Sequence, residues 1–252
     1  MTLFGFKFGR CIARVLSGTV ATAACLLSGC GTVNGGGPAV AQLRVVTASP
    51  DVGGLDMYAS TGAIAYNLGF GTVTSYVPVT PSTYALSVNT AGTRKALNTV
   101  RGTLAASKQY TLLVSNFAST LQTQVLTDQS VPAPSGEISL RFLDEALAAG
   151  TVDLYLVPAG SRLDKVNAFQ QGVVFGANTG YLNVPAGSYT LYVVQNGTLV
   201  SSTTVPLYTG SATNYLAGSA RTFLILDQQL AITPAVSVTM LSDYDSATVT
   251  QP

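Results

Sequence analysis

Two stretches decide the fold: LRVVTASPDVGGLDMY (residues 43–58) and LRFLDEALAAGTVDLY (residues 140–155). Both carry Leu-Arg followed, at the same spacing, by Asp-x-Tyr. Arg44 matches Arg141, Asp56 matches Asp153 and Tyr58 matches Tyr155, each 97 residues on. Further along, Phe70-Gly71 matches Phe175-Gly176, Tyr76 matches Tyr181, Tyr84 matches Tyr189 and Tyr110 matches Tyr215, now 105 residues apart. The step from 97 to 105 is an insertion of eight residues in the second copy, within PAGSRLDKVNAFQQGVVFG. A repeat with one clean insertion indicates duplication of a folded unit. Each unit is about 95 to 105 residues, the size of one immunoglobulin-like domain.

The units read as β-sheet. In YALSV, Tyr84, Leu86 and Val88 share one face; in YTLYVV, Tyr189, Leu191 and Val193 do the same. Such alternation marks half-buried strands. The turns VTPST and VPAGS precede them, with Pro and Gly setting the bend. YTLLVSNF, LQTQVLTD, SSTTVPLY and RTFLILD add further β-rich runs. Helical periodicity is confined to about one turn in FLDEALAAG (residues 142–150). The expected fold class is all-β: two tandem immunoglobulin-like or transthyretin-like antiparallel β-sandwich domains after a lipoprotein signal peptide. The expected boundaries are a signal peptide at 1–29, a lipidated start and tether at 30–38, and a first sandwich at 39–129. A Pro-rich linker at 130–136, a second sandwich at 137–241 and a polar tail at 242–252 follow. The linker, in QSVPAPSG, is expected to stay extended, and each half to fold alone.

The chain opens with Lys7, Arg10 and Arg14, followed by the apolar run VLSGTVATAACLLSG. This is the pattern of an export signal, too short for the ~20 residues of a spanning helix. It ends in Leu27-Ser28-Gly29-Cys30, which resembles the lipobox of bacterial lipoproteins. The resemblance implies that the Cys30 thiol receives diacylglycerol and becomes the first residue. Cys11 and Cys25 lie in the leader, so the mature chain holds no disulfide framework and no thiolate metal site. With Gly31 rather than Asp after the cysteine, a Gram-negative host is expected to sort the protein to the outer membrane.

The mature chain keeps nine of the 12 Lys and Arg and all 11 Asp and Glu, a net charge of −2. That balance provides no basic footprint for nucleic acid. The sequence has no histidine, which removes Ser-His-Asp and Cys-His catalysis and most catalytic zinc sites. Paired carboxylates remain as candidates: Asp144 with Glu145, in an apparent turn, and Asp243 with Asp245, in the tail and expected to be solvated. Both pairs are read as non-catalytic. Asp51 and Asp56 in SPDVGGLD offer oxygen ligands for calcium, but the second copy has Ala148 in place of Asp51, and a turn role explains them. No cofactor is expected, and the chain is read as not an enzyme.

RVVTASPDVGGLDMY, the Phe-Gly step, YVPVTPSTYALSV and TQVLTDQS together resemble a bacterial domain-of-unknown-function family, number 4397. The resemblance covers most of residues 42–227. The second copy departs where Glu145, Ala146, Leu147 and Ala148 stand for Ala48, Ser49, Pro50 and Asp51. Members are typically exported, often lipidated and often in tandem. The resemblance implies a β-sandwich at a cell surface or in the periplasm, and no chemistry.

The repeated skeleton predicts structural ion pairs, Arg44 to Asp56 and Arg141 to Asp153, bridging adjacent strands, with each Tyr on the side of its Asp. Among the tyrosines, Tyr66, Tyr192 and Tyr208 are candidates for surface contact, with Tyr244 also expected to be exposed; a flat ring with a hydroxyl suits glycan or protein. The preferred reading is a non-catalytic, lipid-anchored envelope protein displaying two modules for structural or protein-interaction roles. The alternative is a glycan-binding or adhesive module. The expected partners are the membrane, through Cys30, and an unknown envelope protein or polysaccharide.

Overall fold

A computed structural model describes residues 39–228 and 236–245. The expected leader, Cys30 and the expected tether lie outside the described residues. The first module contains β1 (Ala41–Thr47), β2 (Leu55–Ala59), β3 (Gly62–Leu68), β4 (Val77–Val79), β5 (Ser82–Thr90), β6 (Ala96–Leu104), β7 (Gln109–Ser115) and β8 (Gln122–Asp128). The second contains β9 (Glu137–Glu145), β10 (Val152–Pro158), β11 (Gln170–Val173), β12 (Ala177–Asn178), β13 (Leu182–Pro185), β14 (Gly187–Gln195), β15 (Tyr208–Thr209), β16 (Thr213–Tyr215), β17 (Ala220–Asp227) and β18 (Val236–Tyr244).

Each module is a β-sandwich. In the first, a sheet ordered β4-β1-β7-β8 packs on one ordered β3-β2-β5-β6. In the second, β12-β9-β17-β18, with β13 also on β9, packs on β11-β10-β14-β15, with β16 also on β14. The pairing is antiparallel except between β1 and β7 and between β9 and β17, which are parallel. Pro78 and Pro185 lie on the short strands β4 and β13, where a missing ladder donor is tolerated. Asp144 and Glu145 close strand β9, so FLDEALAAG forms strand and turn rather than helix.

Alternation along the strands builds the cores. Leu43 and Val45 of β1 meet Met57, Leu86, Val88, Leu112 and Val114 inside the first sandwich. Leu140 and Phe142 of β9 meet Leu154, Leu191, Val193, Phe223 and Ile225 inside the second, where Phe142 stacks on Phe223 with centroids 5.0 Å apart.

The alternate residues of β1 and β9 are buried as well, and this shows how the modules combine. Val46, Ala48, Leu113 and Leu126 form a separate apolar cluster with Leu143, Leu224, Leu226 and Leu241. Four residues come from each module, so the outer faces of two sheets pack on each other. Both modules fall in one compact unit, Pro38–Pro252. The linker is pinned rather than free: the Ala133 N–H donates to the Gly218 carbonyl at 3.0 Å, and the Gln129 N–H donates to Tyr181 Oη at 3.1 Å.

The duplicated face is not fully symmetric. Glu145 stands where the first copy has Ala48, and Ser115 of β7 stands where β17 has Leu226. These two exceptions meet: Ser115 donates to the Glu145 carboxylate across the module boundary. Glu145 is buried, and its Oε2 has no partner among the described residues. Burial pushes its pKa up to about 7, with Ser115 opposing and Asp144 adding to the shift. Asp144 points to the opposite side of β9 and is pushed up to about 6, chiefly by burial, with the Ala146 N–H opposing and Asp227 adding.

A raised carboxyl pKa means that the folded state holds more protons than the unfolded state between the ordinary and raised values. The contribution to stability is therefore greatest at the acid end and is lost as pH rises through about 7. The urea midpoint should fall between pH 5 and pH 8. Glu145→Gln should flatten much of that slope and raise stability at pH 8 by about 1–3 kcal/mol. A variant with an unchanged slope and unchanged stability at pH 8 would contradict this.

Candidate functional site

The repeated Arg and Asp residues have exchanged the partners that the sequence suggested. Neither predicted pair forms: Arg44 does not meet Asp56, and Arg141 does not meet Asp153. Arg44 Nη2 pairs with Asp243 of the second module, and Arg141 Nη2 pairs with Asp128 of the first at 2.5 Å. Arg44 also lies 3.5 Å from Asp128. Each guanidinium is anchored on its own side first. Arg44 Nε donates to Thr111 Oγ1 at 2.8 Å, and Arg141 Nε donates to Thr222 Oγ1 at 2.9 Å. Those hydroxyls then donate, at 2.6 Å, to Asp128 and Asp243 of their own modules.

The tyrosines complete the arrangement. Tyr76 Oη donates to Asp128 at 2.7 Å, and Tyr181 Oη donates to Asp243 at 2.9 Å. Each ring lies under the guanidinium of its own module, 4.7 Å from Arg44 Cζ to Tyr76 and from Arg141 Cζ to Tyr181. Burial raises both phenol pKa values well above the ordinary range, with Asp128 adding at Tyr76 and Arg141 opposing at Tyr181. They therefore remain protonated donors. The contacts repeat under exchange of the modules, the signature of an isologous two-fold interface, here within one chain.

Asp56 and Asp153 have a different task. They face the outer side of β2 and β10, on the side of Tyr58 and Tyr155 as expected, and clamp turns. The Asn67 and Gly92 N–H groups donate to Asp56, each at 2.9 Å. The Gly172 N–H and Asn196 Nδ2 donate to Asp153, each at 2.8 Å. Asn67 and Gly172 occupy equivalent positions with φ of 51° and 66°. The carboxylate holds a left-handed residue that breaks the β2–β3 ladder, and its counterpart does the same at β10–β11. Asp51 likewise accepts from the Ala118 N–H at 2.8 Å; in the second copy Asp227 accepts from the Ala148 N–H at 3.0 Å. The loop tie persists with its acid moved to the other side.

The paired-carboxylate candidates separate. Consecutive residues on a strand point to opposite faces, so Asp144 and Glu145 do not share a cleft. Asp243 is 3 % exposed and belongs to β18, rather than to a solvated tail. Asp245 is exposed and pairs with Arg221 at 2.5 Å. The match of Tyr110 with Tyr215 is not a structural equivalence: Thr111 corresponds to Thr222, so Tyr110 takes the place of Arg221.

The surface offers one open depression built on the repeated motif, with a volume of about 610 Å³. Asp56, Tyr58, Tyr66, Asn67, Gly92 and Arg94 line it. Tyr66 is 63 % exposed. Its ring stands edge-on to Tyr58, with centroids 6.1 Å apart and planes at 86°. Arg94 lies over the same Tyr58 ring at 5.0 Å. The other two tyrosine candidates are not free surface. Tyr192 packs partly buried against Tyr155, Val157 and Val194, and Tyr208 packs partly buried on the second core. Tyr244 is half-buried. In the second module the eight-residue insertion covers the face equivalent to the depression: Leu163, Val166 and Ala168 pack on Tyr155 and Val157.

No curated protein matches the sequence. Similar solved structures include the Bacillus anthracis TIE protein, at 10% identity over 75% of this chain and 34% of that one, with a TM-score of 0.25. A streptococcal virulence factor described for alpha-glucan binding matches at 10% identity over 73% and 92%, with a TM-score of 0.26. A family 26 carbohydrate-binding module from Eubacterium rectale, in complex with maltoheptaose, matches at 12% identity over 82% and 98%, with a TM-score of 0.23. The chain thus spans about a third of the TIE protein's length. TM-scores this low carry no argument about activity. The sequence itself is more specific. Residues 41–155, from β1 into β10, match a family model described as a domain of unknown function, DUF4397. Over that span the chain is similar to the DUF4397 family.

Proposed function

We propose that this is a non-catalytic, lipid-anchored envelope protein that holds two β-sandwich modules as one rigid body for surface contact. The observation that carries the reading is the reciprocal buried network of Arg44, Asp243, Arg141 and Asp128. These groups are committed to joining the modules and are closed to solvent, as a structural role requires. With no histidine in the chain and the candidate carboxylate pairs pointing apart, binding at the surface is favoured over chemistry. The open depression at Tyr66 supports contact with an envelope polymer, the second part of the reading.

Anchoring rests on Cys30 and its leader. Two or three acyl chains, at ~0.8 kcal/mol per buried methylene, hold a protein stably to a bilayer. Cys30→Ala should leave an unprocessed or mislocalised precursor, seen by membrane fractionation. The mass of the native N-terminal peptide should correspond to lipidated Cys30. A mature start at any other residue would overturn the anchor.

A further inference from the structure

We infer that the depression around Tyr66 and Arg94 binds an acidic sugar unit of a polysaccharide; the inference rests on the surface-contact reading above. Three observations converge on this ligand class. The first is a pre-set aromatic platform. Tyr58 is buried and fixed in β2, and it holds Tyr66 edge-on and Arg94 face-on. Tyr66 therefore presents a ring to solvent with little freedom left to lose, which suits the flat apolar face of a pyranose.

The second is charge. The chain beyond the leader is acidic overall, yet this end of the first module is cationic. Arg94, Lys95 and Arg101 are all exposed on or beside the β5–β6 hairpin. Among the described residues, none of the three lies within ion-pair distance of a carboxylate. The nearby Asp56 is engaged by the Asn67 and Gly92 N–H groups and makes no ion pair with Arg94. A guanidinium held on a ring, with its N–H groups available, is suited to a carboxylate.

The third is the sheet beside the platform. Tyr58 pairs with Ser87, which pairs with Thr99, and Ala85 pairs with Arg101. The outer face is thus a flat row of small side chains and hydroxyls ending in a cation, over which an extended chain can lie. In the second copy, the insertion buries the corresponding face under Leu163 and Val166. One module is therefore open for binding, while its duplicate is closed.

The test is affinity electrophoresis of the full, detergent-solubilised chain in gels containing polygalacturonate, alginate or hyaluronate, with dextran as the neutral control. Retardation is expected with at least one acidic polymer and not with dextran, weakening as salt rises. Tyr66→Ala and Arg94→Gln should each weaken it at least tenfold with the urea midpoint unchanged, while Tyr192→Ala should leave it intact. No retardation by any acidic polymer, equal retardation by dextran, or retention unaffected by Tyr66→Ala and Arg94→Gln would each overturn the inference. Crosslinking from position 66 to a protein alone would also overturn it, yet would leave the display reading standing. Loss of membrane association in the wild type would instead overturn the anchored-display reading.

Discussion

Replacing Asp128 by alanine should cost about 3–5 kcal/mol of stability, far more than removal of a surface acid. Asp128 accepts from Arg141, Thr111 and Tyr76 and lies 3.5 Å from Arg44. Its loss strands a guanidinium that is 2 % exposed. Two hydroxyls lose their acceptor at the same time. Burial alone would push the Arg141 pKa down; the Asp128 carboxylate, with that of Asp243, outweighs it and raises the pKa. With Asp128 gone, much of that compensation goes too. Asp243→Ala should act similarly, since Arg44, Thr222 and Tyr181 all converge on it. Urea unfolding at neutral pH reads the effect. A cost below about 1 kcal/mol for both variants would place these contacts with ordinary surface pairs.

The second large effect is expected on separating the modules. The Pro-rich linker and the two strand sets suggest independent halves, but the shared face argues otherwise. A fragment ending at residue 130 exposes Val46, Leu113 and Leu126 together with Arg44 and Asp128. That face is apolar, charged and self-complementary, because each half carries both an Arg and the Asp that the other half's Arg seeks. Residues 38–130 and 131–252, expressed apart, should not behave as stable folded monomers. Each should self-associate or unfold without a cooperative transition, and mixing should give a one-to-one complex. Sedimentation and urea unfolding of each half and of the mixture decide this. Two monomeric halves with cooperative transitions and no association would show that the face contributes little.

The pattern of legibility follows from what sequence can encode locally. Strand alternation in YALSV and YTLYVV, the turns before them and the eight-residue insertion all show in a linear reading. The partners of Arg44 and Arg141 do not. A linear reading joins each Arg to the nearest repeated acid, Asp56 or Asp153, whereas the chain places the partner 199 residues away for Arg44. A signal did exist. Leu126-Thr127-Asp128 repeats as Leu241-Ser242-Asp243, and an acid in each copy at the end of equivalent strands is as regular as the Arg. A reading that takes LSDYD as tail passes over it. Two-sided burial of β1 and β9 was also illegible, because Arg44 and Arg141 read as solvent-facing until a second polar face is found to cover them. The depression was half legible. Tyr66 is among the tyrosines that the sequence offers for surface contact, but Arg94 lies in a hairpin turn and becomes part of the site only through the Tyr58 ring.

Fusion of two duplicated sandwiches by exchanged ion pairs is tested most directly by a double-mutant cycle across the module boundary. Arg44→Ala, Asp243→Ala and the double variant, compared with wild type by urea unfolding, should give a coupling of at least about 1.5 kcal/mol, within the range for residues in one buried network. The parallel cycle of Arg44→Ala with Asp56→Ala should be additive to within about 0.5 kcal/mol. Additivity between Arg44 and Asp243, or strong coupling between Arg44 and Asp56, would contradict the exchanged pairing.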